Sequence, residues 1–109
     1  MADLKISIAE DFSDAPGARY RDDGDASGQE FYEDHLKGKF EEAVAKKNRL
    51  IIDMDRTYGY ATSFISASFG RLSKEFGADK VLSIVEIISK EDENVKRYTI
   101  NIIKNPEKE

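Results

Sequence analysis

The chain has 109 residues and a formal net charge of −5, and this length allows one domain with a real core but no second domain. Lys and Arg are scattered among Asp and Glu, which argues against nucleic acid as the main partner. The absence of cysteine excludes disulfides and thiolate metal sites. Because the sequence has no apolar run of about 18 residues and no signal-like start, it predicts a soluble, cytoplasmic protein that does not bind membranes.

The N-terminal part predicts a strand, a long loop and a helix. Leu4 to Ile8 alternates apolar and polar residues, which is typical of a strand with one buried face. The polar stretch 9–26 predicts a long loop. Ser27, followed three residues later by Glu30, favours a capping box at the start of a helix that ends near Lys47. Four apolar residues of this helix recur at a spacing of four: Tyr32, Leu36, Phe40 and Val44.

A second strand and a second helix follow. The apolar run from Leu50 to Met54 predicts a central strand that is covered on both faces. The next helix is expected to begin near Thr62 or Ser63 and to end at Gly77. Its apolar stripe consists of Ile65, Phe69, Leu72 and Phe76.

The C-terminal part predicts a third strand and a last helix. The stretch 81–88 is rich in β-branched residues and predicts a strand. Ser89 is the expected cap of a helix over 91–104, although 97–103 also alternates like a strand. Residues 105–109 are expected to form a frayed tail. The order of elements predicts a single α/β domain over residues 1–109, with a mostly parallel, single-layer sheet and covering helices.

Two adjacent hydroxyl side chains, Thr62 and Ser63, open the second helix. Residues of this type often serve only as helix caps, but one hydroxyl would suffice for that. The first turn of a helix also offers unpaired N–H groups and the positive end of the helix dipole, which can hold a phosphate. Phe64 lies off the apolar stripe, so we expect its ring to be exposed beside the hydroxyls. The pattern predicts a docking surface at the carboxyl edge of the sheet, where open α/β sheets tend to place their sites.

The remaining polar residues give weak signals for chemistry. Asp53 and Asp55 lie on the same face at the end of a strand and could hold Mg²⁺, but no third ligand is evident. The alternative is that Asp55 is a solvated turn residue and that neighbouring donors hold Asp53. His35 is the single histidine, so a zinc site is excluded and a partly buried structural role is expected. These patterns predict a protein that is not an enzyme and has no metal or cofactor.

Short motifs across nearly the whole chain resemble a known family. The strand, the turn, the two hydroxyls and the helix that follows resemble the STAS domain, the fold of bacterial anti-sigma-factor antagonists. The closer resemblance is to the STAS-like group of small bacterial proteins called DUF4325. The segments that carry it are Asp11-Phe12-Ser13, Gly17-Ala18-Arg19, Ser27-Gly28-Gln29-Glu30-Phe31, Ile52-Asp53-Met54-Asp55, Thr62-Ser63-Phe64 and Phe69-Gly70.

This resemblance implies a phosphorylation site. In anti-sigma-factor antagonists, a partner kinase of the histidine-kinase-like ATPase superfamily phosphorylates the first Ser of an Asp-Ser-Ser-Gly turn. The corresponding residues here are Ala61 to Phe64, so the resemblance implies Thr62 as the phosphoacceptor, with Ser63 beside it. A phosphate adds about −1.5 to −2 charges. A helix N-terminus favours that charge, whereas an acidic partner would be repelled by it.

Two hypotheses about function follow. The first is a non-catalytic STAS-like module of a partner-switching system, which binds a protein partner of the kinase or anti-sigma type. The residues expected to contact this partner are Tyr60, Thr62, Ser63, Phe64 and Arg71. The second hypothesis is a small-molecule or nucleotide sensor, with a pocket between Arg19 and the strand ends near Asp55 and Thr62. A weaker third possibility is a Mg²⁺-dependent enzyme that uses both aspartates.

Overall fold

A computed structural model of the chain describes residues 3–106. Within this range, three parallel strands form one sheet in the order β1-β2-β3. Their bounds are β1 (Leu4–Ser7), β2 (Leu50–Asp53) and β3 (Val85–Ile88). This arrangement confirms the predicted α/β fold with a parallel sheet and several helices. Of the predicted frayed tail over 105–109, residues 107–109 lie outside the described residues.

Four helices accompany the sheet in the described part of the chain. They are α1 (28–46), α2 (62–76), α3 (Ala78–Ile84) and α4 (Glu93–Lys104). Both long helices have a π-helical turn near the middle, at Tyr32–Leu36 in α1 and at Ser66–Gly70 in α2. Two single helical turns also occur: Ile8–Asp11 runs into the predicted loop over 9–26, and Arg21–Asp23 lies within it.

The ends of the helices test the predicted caps. The Ser27 hydroxyl accepts a hydrogen bond from the backbone N–H of Glu30 at 3.0 Å, as expected for the start of α1. The predicted cap at Ser89 is wrong, because Asp92 caps α4 by accepting from the N–H of Asn94 at 2.9 Å. The Ser89 hydroxyl instead donates to the carbonyl of Asp92 at 2.7 Å.

All three predicted strands are shorter than expected, β2 by the single residue Met54. β1 ends at Ser7 because the Asp11 carboxylate accepts from the Ser7 N–H at 2.8 Å and starts a helical turn. Of the predicted strand 81–88, the first half is the end of α3, where the Ser83 hydroxyl donates to the carbonyl of Lys80 at 2.7 Å. The alternative strand over 97–103 is also wrong, because these residues belong to α4.

The sheet buries one face under the helices. Ile6, Ile52 and Ile87 lie side by side in the three strands and are at most 4% exposed. On the opposite face, Lys5 and Glu86 are exposed and Ile51 is half-buried. The prediction that β2 is covered on both faces is therefore wrong at this position. The helices supply the predicted stripes to the core, and the rings of Phe40 and Phe76 meet with centroids 4.8 Å apart. No helix among residues 3–106 has the length and apolar character needed to span a membrane.

Candidate functional site

The first turn of α2 presents a hydroxyl that the fold does not use. Ala61 is the N-cap residue, and no side chain caps this helix end. Thr62 is exposed, and its hydroxyl makes no hydrogen bond within residues 3–106. Ser63 is half-buried, and its hydroxyl lies 3.5 Å from the carbonyl oxygen of Gly17, at the outer limit for a hydrogen bond. The interpretation that these hydroxyls serve as caps is therefore wrong.

The predicted exposure of Phe64 is also wrong. Its side chain is 0% exposed, and its ring centroid lies 5.7 Å from that of Phe31 and 6.1 Å from that of Phe12. All residues from 64 to 70 are buried, so the first half of α2 is covered nearly all round. Although Phe64 lies off the apolar stripe of α2, it therefore packs against other parts of the protein instead of facing solvent. Phe64 belongs to the core and cannot be a contact point for a partner.

The exposed aromatic residue near this turn is Tyr58, which the sequence analysis missed. Its side chain is 88% exposed, and its backbone N–H donates to the carbonyl of Asp14 at 2.8 Å. The neighbouring Gly59 has a φ of 136°, which marks a tight turn. The glycine itself was the sequence signal that could have indicated this exposed turn. Tyr60 is half-buried, and its hydroxyl donates to the carbonyl of Met54 at 2.8 Å. Burial raises the pKa of Tyr60, so its hydroxyl stays protonated.

Both aspartates after β2 have structural partners. One Asp55 oxygen accepts from the N–H of Lys90 at 3.0 Å, and the other accepts from the N–H of Glu91 at 2.9 Å. Asp53 accepts from the N–H of Asp55 and forms an ion pair with Arg56 at 3.1 Å. Among residues 3–106, no group of three or more His, Cys, Asp or Glu side chains is placed to hold a metal ion. Asp55 thus joins the end of β2 to the loop after β3.

Arg56 connects the carboxyl ends of the strands, and the sequence analysis missed it. Its φ of 69° is unusual for a residue other than glycine. The guanidinium lies 3.0 Å from the hydroxyl of Ser7 and 3.4 Å from Glu10, besides its pair with Asp53. Its backbone N–H donates to Glu91 at 2.7 Å. Internal polar contacts therefore occupy the edge of the sheet above β1 and β2.

The structure does not bring together the residues of the predicted small-molecule pocket. A cavity of about 170 Å³ does lie at the strand ends beside Asp55, but neither Arg19 nor Thr62 lines it. The carbonyl of Arg19 accepts from the N–H of Gln29 at 3.0 Å, which joins the loop to the start of α1. Arg19 is half-buried as a residue, and its guanidinium makes no hydrogen bond or ion pair within the described residues.

Arg71 lies further along α2 and packs against α1. Its guanidinium carbon is 4.6 Å from the centre of the Tyr32 ring, and one of its nitrogens is 3.4 Å from Glu33. The Tyr32 hydroxyl bonds to Glu75, which also pairs with Lys37 at 2.7 Å. Burial, followed by the bond to Glu75, raises the pKa of Tyr32. Lys37, followed by Tyr32, lowers the pKa of Glu75.

His35 has the structural environment that its sequence context predicts. It is half-buried, and its ring is stacked on Phe31 with centroids 6.1 Å apart. Phe12 meets the same ring edge-on at 5.4 Å. These contacts place the histidine at the border of the core.

Comparison with known proteins places the chain in one family. Searches of the curated proteins and of the solved structures gave no significant match. The family model described as a STAS-like domain of unknown function (DUF4325) matches residues 27–95. This match covers α1, β2, α2, α3 and β3, and therefore includes the Thr62 turn and two strands of the sheet. The chain belongs to the STAS-like DUF4325 family.

Proposed function

We propose that this protein is a cytoplasmic, non-catalytic regulatory module that binds a partner protein through the turn preceding α2. Thr62 is its regulatory phosphosite, and the kinase is a histidine-kinase-like ATPase of a partner-switching system. Membership of a STAS-like family supports a regulatory or interaction role. The structural observation that carries the proposal is the exposed Thr62 hydroxyl, which neither caps α2 nor bonds elsewhere in the described residues.

Thr62 is a better phosphoacceptor than Ser63. A kinase must reach the hydroxyl and surround it, which the exposed side chain of Thr62 permits. Ser63 is half-buried against Gly17, so its modification would require the loop to move. A phosphate on Thr62 would lie on the first turn of α2, where the helix dipole favours negative charge by about 0.3–1 kcal/mol. The fold therefore tolerates the modification while the surface charge changes.

Tyr58 supplies the aromatic contact that Phe64 does not. Tyrosine is enriched among the residues that carry most of the binding energy at protein interfaces. The ring of Tyr58 is 88% exposed and lies in the turn that leads to Thr62. A partner that covers this ring would also meet a phosphate on Thr62. Phosphorylation can therefore change the affinity of the complex without refolding the module.

A phosphorylation assay tests the proposed switch. The protein is incubated with ATP and a candidate histidine-kinase-like ATPase, and the intact mass is measured. We expect one added phosphate, which is absent from Thr62→Ala and present on Ser63→Ala. The switch is refuted if every candidate kinase leaves the mass unchanged, or if Thr62→Ala is still modified.

A binding assay tests the docking surface separately. The affinity for the partner is measured for the wild type, Tyr58→Ala and Tyr58→Phe by calorimetry. Loss of a hot-spot ring costs at least about 2 kcal/mol, which is roughly a thirty-fold loss of affinity. Tyr58→Phe keeps the ring and should retain most of the affinity. Equal affinity of the wild type and Tyr58→Ala would remove this turn from the interface.

A further inference from the structure

A cavity of about 180 Å³ opens between the two long helices. Its walls are Gln29 of α1, the loop residue Tyr20 and four residues of α2 (Ser66, Ala67, Arg71 and Lys74). The walls contain two cations and no carboxylate, although the chain as a whole is acidic. The cavity lies along α2, beyond the Thr62 turn, and does not include the proposed phosphosite.

Ser66 is a buried residue whose hydroxyl has no protein partner, and it lines this cavity. The residue is 8% exposed, and its side chain makes no hydrogen bond within residues 3–106. A buried helical serine ordinarily bonds back to a preceding carbonyl, as Ser68 does to the carbonyl of Phe64 at 2.8 Å. In the described residues, no side-chain nitrogen or oxygen that is fully sealed from solvent lacks a partner. The oxygen of Ser66 is therefore not fully sealed, and because the residue lines the cavity, this hydroxyl is the one available there to a ligand.

The two cations retain free hydrogen-bond donors. Lys74 makes no ion pair or hydrogen bond within the described residues. Arg71 is held by the Tyr32 ring and by one weak contact to Glu33 at 3.4 Å, which leaves other guanidinium N–H groups available. The nearby carboxylates have cations of their own, because Glu33 pairs with Arg21 at 3.2 Å and Glu75 pairs with Lys37.

We propose that this cavity binds the phosphate group of a small phosphate-bearing molecule. Arginine matches phosphate oxygens with paired N–H groups, lysine adds a point charge, and the serine hydroxyl donates to a further oxygen. At about 30 Å³ per water molecule, the cavity holds roughly six waters. A phosphate with a few attached atoms therefore fits inside it, and a larger molecule would extend beyond it into solvent. This site is independent of phosphorylation at Thr62.

Titrations followed by amide chemical shifts test this site on the complete chain. The probes are inorganic phosphate and glycerol 3-phosphate, with sodium chloride at equal ionic strength as the reference. We expect saturable shifts at the α2 residues of the cavity, with a Kd of about 1 mM or tighter. Tighter binding of glycerol 3-phosphate would identify an organic phosphate as the ligand, and equal or weaker binding would identify free phosphate. Absence of saturable shifts with both probes, or identical shifts with chloride, would overturn the proposal.

Variants assign the binding to the named side chains. Lys74→Gln and Ser66→Ala should each weaken binding about ten-fold or more, which corresponds to the loss of one charge-assisted hydrogen bond. Lys74 has no hydrogen bond or ion pair to lose within the described residues, so its replacement should leave the fold intact. Lys104→Gln, on α4, is the matched control and should bind like the wild type, as should Thr62→Ala. Unchanged affinity in both Lys74→Gln and Ser66→Ala would exclude this cavity as the phosphate site.

Discussion

Replacement of Phe64 by alanine distinguishes a core residue from a docking residue. The ring is 0% exposed and contacts Phe12, Phe31 and Tyr60 at centroid distances of 5.7–6.1 Å. Phe→Ala in a packed core costs about 3–5 kcal/mol, because both burial and packing are lost. Small domains have about 5–15 kcal/mol of total stability. The variant should therefore lose a large part of the free energy of unfolding.

Urea unfolding followed by circular dichroism measures this loss. Each kcal/mol of lost stability lowers the Tm of a domain near this size by about 4–8 °C, so thermal unfolding should show a Tm that is lower by roughly 12 °C or more. The control is Tyr58→Ala, which removes an aromatic ring that is 88% exposed and should change stability by about 0.5 kcal/mol or less. A loss below about 1 kcal/mol for Phe64→Ala, with an unchanged m-value, would refute its place in the core.

Three further predictions concern the packing and charge of the fold. Gly28→Ala should destabilise the protein, because the new Cβ would lie 2.5 Å from the carbonyl oxygen of Phe64. Gly38 lies in the same helix and faces open space, so Gly38→Ala should stabilise the protein by about 0.5–1 kcal/mol in the same urea assay. The pKa of Glu75 is lowered in the fold, so its stabilising contribution is present above the unfolded value of 4.5 and is lost as the pH falls through the folded value. In melting experiments at different pH, Glu75→Gln should therefore lose less stability at acid pH than the wild type. An identical pH profile of the two proteins would contradict the ion pair of Glu75 with Lys37. Asp55→Ala should lower the free energy of unfolding by about 1–3 kcal/mol, because two N–H groups lose a charged acceptor. The control Asp25→Ala, at an exposed site, should change it little. Equal losses of stability in the two variants would contradict the role of Asp55.

Elements with a strong local signal were predictable from the sequence. The spacing of four in α1 and the stripe of α2 correspond to helices whose predicted residues enter the core. The short apolar run that starts at Leu50 is a strand, and Gly77 ends α2, as the pattern indicates. These features depend on periodicity and on backbone preference, which are local properties. The order of the elements then leads to the parallel sheet.

Features that depend on contacts between distant segments were not predictable. The stretch 81–88 has residues suited to a strand, yet its first half is helical, and Val81 packs into the core from α3. The roles of Asp55 and Arg56 require the loop after β3, which lies far away in the sequence. The prediction that His35 is partly buried was correct, because it depended on helical periodicity alone.

The error at Phe64 shows where this fold can present a binding surface. The first half of α2 is buried on more than one side, so a residue off its main stripe does not reach solvent. A partner can still contact this helix at the first turn at Thr62 and at the cavity that Ser66 and Lys74 line. The first place offers a reactive hydroxyl, and the second offers positive charge beside a hydroxyl without a partner. Because different residues form them, Thr62→Ala and Lys74→Gln should each abolish or weaken one activity and leave the other intact.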